Sequence, residues 1–116
     1  MKKLFIKVKN QFDDVHCYPN APEEVNFLKN MHRHTFMLES IIQVFHEDRE
    51  LEFYMVKDYI DSIIPKLKQL VNAKSCENIA VFVLNELKSK YGNNRYYKIS
   101  CSEDGWNEAI VEEEVE

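Results

Sequence analysis

His32 and His34 stand one residue apart at the head of an apolar stretch that continues through Phe36, Leu38, Ile42 and Val44. On a β-strand alternate side chains share a face, so both imidazoles would project to the same side as those apolar residues. Two rings at that spacing lie about 7 Å apart along a strand. They can converge on a metal if a third ligand comes from elsewhere, and His16, upstream across a polar, Pro-containing segment, is the obvious one. Three imidazoles leave a fourth position on the ion, where water or a substrate oxygen can be polarised. Left unpaired at the start of an apolar face, the same rings would be costly.

The elements that must position these residues follow from periodicity. Leu4, Ile6 and Val8 alternate with lysines, the pattern of a half-buried strand that could reach Phe12. From Asp13 to about Asn30 the pattern dissolves into a loop, anchored by Val25, Phe27 and Leu28. The histidine-led strand then runs to about His46. His46 to Glu50 reads as a charged hairpin turn, and Leu51, Phe53 and Met55 as a short returning strand.

After that strand the period changes. Val56, Tyr59, Ile60, Ile63, Ile64, Leu67, Leu70 and Val71 recur at helical spacing, with Asp58 in the first turn and a kink or break expected at Pro65. Ser75 reads as the N-cap of a second helix with Glu77 in its first turn, an apolar stripe of Ile79, Phe82, Val83 and Leu87, and Gly92 as its stop. Arg95 to Ser102 and Trp106 to Val111 are the closing strands, and an acidic tail begins at about Glu112. Strands, then two helices, then strands imply an α+β layer with both helices on one face of an antiparallel sheet.

Composition bounds the function. A chain of 116 residues makes one domain with one modest core. Its net charge of −5 argues against a nucleic-acid-binding surface. The longest apolar run, Ile79 to Leu84, is far too short to span a bilayer, and Met1 to Lys7 has no signal-peptide core. Cys17, Cys76 and Cys101 are odd in number, scattered and without a CxxC pair, which suits free thiols in a reducing cytoplasm.

Five stretches in order carry a family resemblance. They are Phe12-Asp13-Asp14-Val15-His16, His32-Arg33-His34-Thr35-Phe36, Met55-Val56-Lys57-Asp58-Tyr59, Ser75-Cys76-Glu77-Asn78-Ile79-Ala80 and Ile99-Ser100-Cys101-Ser102-Glu103. In them the chain resembles the 6-pyruvoyl-tetrahydropterin synthase and 6-carboxytetrahydropterin synthase group, which has the tunnelling (T-) fold. The resemblance spans nearly the whole chain. It implies that His16, His32 and His34 bind zinc and that Glu103 anchors the pterin ring. It also implies assembly into a homo-oligomer, a trimer or a hexamer, whose sheets join into a barrel.

The departures lie in the proton-transfer residues. The family has a cysteine four residues before its His-x-His pair, and here that position is Leu28. The family's Asp-His pair after the first helix is also missing; the nearest match, Leu67 to Asn72, retains only its hydrophobe-Asn end. Cys17, Glu24 (with its neighbour Glu23) and Lys68 are the candidate substitutes, the lysine only if burial lowers its pKa. Two functions follow from the resemblance. One is a zinc-dependent lyase acting on 7,8-dihydroneopterin triphosphate in pterin or 7-deazaguanine (queuosine) biosynthesis. The other is a protein that binds metal and a pterin- or purine-like molecule without that reaction.

Overall fold

The computed structural model describes residues 1–70 and 74–115. Strands β1 (Leu4–His16) and β2 (His32–Val44) come first, joined by a loop that contains the 3₁₀ segment Glu23–Lys29. Helices α1 (Phe53–Lys68) and α2 (Cys76–Tyr91) follow, then strands β3 (Tyr97–Glu103) and β4 (Asn107–Glu113). The four strands form one antiparallel sheet in the order β1-β2-β3-β4, with both helices inserted between β2 and β3. The expected α+β layer is what the chain forms.

Both helices pack on the face that carries the even residues of β1 and β2 and the odd residues of β3. Val8, Phe12, Phe36, Leu38, Ile42, Tyr97, Ile99 and Cys101 meet Val56, Ile60 and Leu67 of α1 and Ile79, Val83 and Leu87 of α2 there. Fully burying each such side chain contributes about 1.5–3 kcal/mol. The Tyr97 hydroxyl, at the far end of this core, donates to the Gly92 carbonyl at 2.6 Å. The sheet's other face bears Phe5, Lys7, Lys9, Glu39 and Ile110 and is not covered by a helix. Among the described residues, no helix is long and apolar enough to cross a membrane.

Several boundaries differ from the periodicity. β1 does not stop near Phe12 but pairs residue for residue with β2 as far as His16 opposite His32. Asp13 and Asp14 are poor strand formers, yet each finds a partner: Asp13 accepts from the Thr35 hydroxyl at 2.6 Å and pairs with Arg33, and Asp14 pairs with Lys74 at 2.9 Å. The short third strand does not form. β2 is flanked by β1 on one side and β3 on the other, so no edge is left for a returning hairpin. Phe53 and Met55 instead open α1 on its exposed side, where the Glu52 carboxylate accepts the Tyr54 N–H. The charged stretch from His46 is therefore a connection into a helix, with Arg49 at φ 52.

α1 runs through the exposed Pro65 without a break and ends at Lys68, short of Leu70; Val71 and Asn72 lie outside the described residues. Ser75 caps α2 as expected, in a reciprocal box with Asn78. Arg95 precedes β3, buried against Glu50 at 2.8 Å. Glu112 and Glu113 belong to β4, so the acidic tail is shorter than its composition implies.

Candidate metal centre

The extension of β1 decides where the site forms. Antiparallel pairing sets His16 directly across from His32, and His34 falls two residues further along the same face of β2. The rings lie 4.4 Å (His16–His32), 5.0 Å (His32–His34) and 5.4 Å (His16–His34) apart, centre to centre. One nitrogen of each lies within 4.8 Å of the others. Phe36 floors the cluster, its ring 5.1 Å from His16 and 6.0 Å from His34.

Each imidazole is held from behind through Nδ1. His16 Nδ1 meets the Lys74 carbonyl at 3.0 Å, His32 Nδ1 the Asn30 carbonyl at 2.8 Å, and His34 Nδ1 the Asp104 carboxylate at 2.7 Å. Carbonyls and carboxylates only accept, so the proton of a neutral ring sits on Nδ1 in all three. Each Nε2 then keeps its lone pair. This is the outer arrangement that metal-ligating histidines require, since it fixes tautomer and ring direction together. Burial pushes the His16 pKa down and so favours the neutral, ligating form; the Lys74 hydrogen bond opposes it. His16 Nε2 is buried and has no hydrogen-bond partner. A divalent cation of the zinc class, which takes imidazole nitrogen readily, fits these donors.

Glu103 ends β3 beside the same cluster. Its Oε1 is 3.2 Å from His16 Nε2 and its Oε2 is 3.4 Å from His34 Nε2. The Cys76 thiol, in the first turn of α2, stands 4.0 Å from Oε1. A hydrogen bond with Cys76, reinforced by burial, raises the Cys101 pKa, so that thiol stays protonated and inert. A depression of about 380 Å³ opens beside the carboxylate, bordered by Cys76, Glu77, Asn107 and Ala109. A larger hollow, about 630 Å³ around Phe45 and Tyr96, lies on the helix-free face and contains none of the histidines. No histidine lines the smaller depression either, but Glu103 does.

The remaining candidates are not drawn in. Among the described residues, no hydrogen bond or ion pair joins Cys17, Glu24 or Lys68 to the imidazoles. Cys17 is half-buried just beyond β1, Glu24 is exposed in the 3₁₀ segment, and Lys68 is exposed at the end of α1. Three residues that hold the site were not singled out from the sequence. They are Lys74 and Asn30, which act through backbone carbonyls, and Asp104. Of these only Asp104 carried a signal, because an Asp-Gly pair marks a tight turn. It adopts φ 57, accepts from the Thr35 N–H at 2.9 Å and ties the β3–β4 turn to His34.

No protein-family model and no curated protein sequence matches the chain. Solved structures do. A 6-pyruvoyl tetrahydropterin synthase of Plasmodium falciparum superposes with a TM-score of 0.73 at 16% identity, covering 97% of this chain and 99% of that one. The Plasmodium vivax 6-pyruvoyltetrahydropterin synthase, in a variant whose catalytic glutamate is replaced by alanine, gives 0.75 at 13% identity, covering 99% of this chain and 100% of that one. At such identity the likeness establishes architecture, over the full length of both chains. The chain has the T-fold of these synthases.

Proposed function

We propose that the protein is a zinc-dependent lyase of pterin chemistry, acting on 7,8-dihydroneopterin triphosphate or a close relative. One observation carries this reading: three imidazoles at the end of the sheet, each hydrogen-bonded through Nδ1, bring one nitrogen apiece within 4.8 Å of the others. Zinc bound there would supply Lewis-acid polarisation of substrate oxygens. His16, His32 and His34 would hold it, with Phe36 excluding water beneath. Glu103 would receive the ring N–H and exocyclic amine of a pterin or guanine-like edge, two parallel bonds that a carboxylate can accept together.

Proton transfer needs a base where Leu28 stands in place of a cysteine. The P. vivax protein, whose catalytic residue is a glutamate, supports a carboxylate in such a role. In this chain Glu24 is the first choice, with Cys17 and Lys68 behind it. A second reading has its own support: Leu28 has no acid–base chemistry, and among the described residues none of those three groups forms a hydrogen bond or ion pair with the histidines. In that case the protein binds metal and a pterin or purine without turning it over. Incubating the zinc-loaded protein with dihydroneopterin triphosphate separates the two. A new product by mass spectrometry is the expected result, and unchanged substrate that co-purifies with the protein would favour the binding module.

A further inference from the structure

Lys74 grips β1 at two points. Its backbone carbonyl meets His16 Nδ1 at 3.0 Å, and its ammonium group lies 2.9 Å from the Asp14 carboxylate. Asp14 and His16 are two residues apart on one face of the strand, and Asp14 stands directly across from His34 of β2. The side chains of the ion pair keep only 2% and 12% of their surface exposed. The second Asp14 oxygen accepts the Val15 N–H at 2.8 Å, so both ends of the carboxylate are engaged.

The three acceptors behind the imidazoles are anchored in different ways. His32 finds its carbonyl two residues away, and Asp104 behind His34 is steadied by the Thr35 N–H. The acceptor behind His16 is a backbone carbonyl 58 residues along the chain, in the connection that leads into α2. Its direction depends on how that connection is pinned to β1. A buried ion pair is an expensive way to gain stability, because desolvation offsets most of the attraction and apolar side chains of similar volume often do as well. What the charges supply is direction: they draw one residue of the connection to one point on the strand.

We infer that Asp14 and Lys74 form a clamp that positions His16 for the metal. Asp14 is a positioning residue acting through the Lys74 side chain, and the Lys74 carbonyl then fixes the tautomer and ring direction of His16. The inference rests on the three-histidine zinc reading and deepens it, adding a layer behind one ligand. Neither residue ligates the ion.

The test removes the pair as a pair, since either single substitution strands a buried charge and destabilises the fold on that ground alone. Asp14→Asn combined with Lys74→Met keeps side-chain size and leaves the net charge unchanged. The first readout is ¹⁵N NMR of the metal-free protein at about pH 8, well above the ordinary imidazole range, with the His16 signals assigned by their loss in His16→Phe. Wild-type His16 should carry its proton on Nδ1, and in the double variant it should become a mixture of the two neutral tautomers. The second readout is chelator competition, in which the double variant should bind zinc about tenfold more weakly. A single Nδ1–H tautomer in the folded double variant, or unchanged zinc affinity, would overturn the clamp. A tautomer mixture at His16 in the wild type would overturn it without any variant, so the proposal stays falsifiable even if the double variant folds poorly. A wild-type protein that takes up no zinc would instead remove the metal reading, while the tautomer still decides whether Lys74 is held by Asp14 against His16.

Discussion

At the level of single residues, the acceptors behind the rings are as informative as the rings themselves. Asp104 is the most testable of them, because it holds His34 through a side chain rather than a carbonyl. The His34 hydrogen bond in turn lowers the Asp104 pKa, keeping the carboxylate charged. Asp104→Asn preserves shape but weakens the acceptor and adds a competing N–H₂. It should reduce zinc affinity by about tenfold to a hundredfold, measured by chelator competition, with little change in fold. His16 gives the pH dependence of the metal-free protein. Its pKa is lower folded than unfolded, so below about pH 6.5 the unfolded chain binds the extra proton more readily. Stability contributed by this group is present above that pH and is lost as pH falls toward the folded pKa. A melting temperature of the metal-free protein that falls on acidification through this window, and falls less in His16→Phe, is the expected result.

At the level of elements, the site depends on one piece of sheet. Phe36 is fully buried, stacks 5.5 Å from Phe12 and supports two of the histidines from below. Phe36→Ala should cost about 3–5 kcal/mol in denaturant unfolding and weaken metal binding as well, since the rings lose their floor. Retained metal affinity in a destabilised variant would show that the outer hydrogen bonds suffice alone. The histidine spacing on β2, the helical stripes of α1 and α2 and the Ser75 cap were legible in sequence because each is a local pattern. The end of β1 was not, because Asp13 and Asp14 look like loop residues until Thr35, Arg33 and Lys74 satisfy them from distant positions. The mistaken third strand had a similar cause. Leu51, Phe53 and Met55 alternate correctly, and only the occupancy of both β2 edges forbids the pairing. The approach of Glu103 to the histidines depends on the register of β3 against β2, which no local pattern reports.

At the level of the whole molecule, the four-stranded sheet leaves the outer edges of β1 and β4 without a strand partner among the described residues. Its helix-free face exposes Phe5, Phe45 and Ile110 amid charged side chains. Open edges of that kind are a liability unless another chain pairs with them. A symmetric homo-oligomer is therefore expected in sedimentation at micromolar concentration, and the T-fold resemblance implies a trimer or a hexamer of two trimers. A monomer there would contradict this assembly and leave the depression beside Glu103 bounded by one chain alone. The central claim, however, is the metal. The purified protein should carry close to one zinc per chain by elemental analysis, and His32→Ala, which removes the ring paired with His16 across the strands, should abolish it. Zinc retained in full by folded His32→Ala protein would contradict the three-histidine centre and the function built on it.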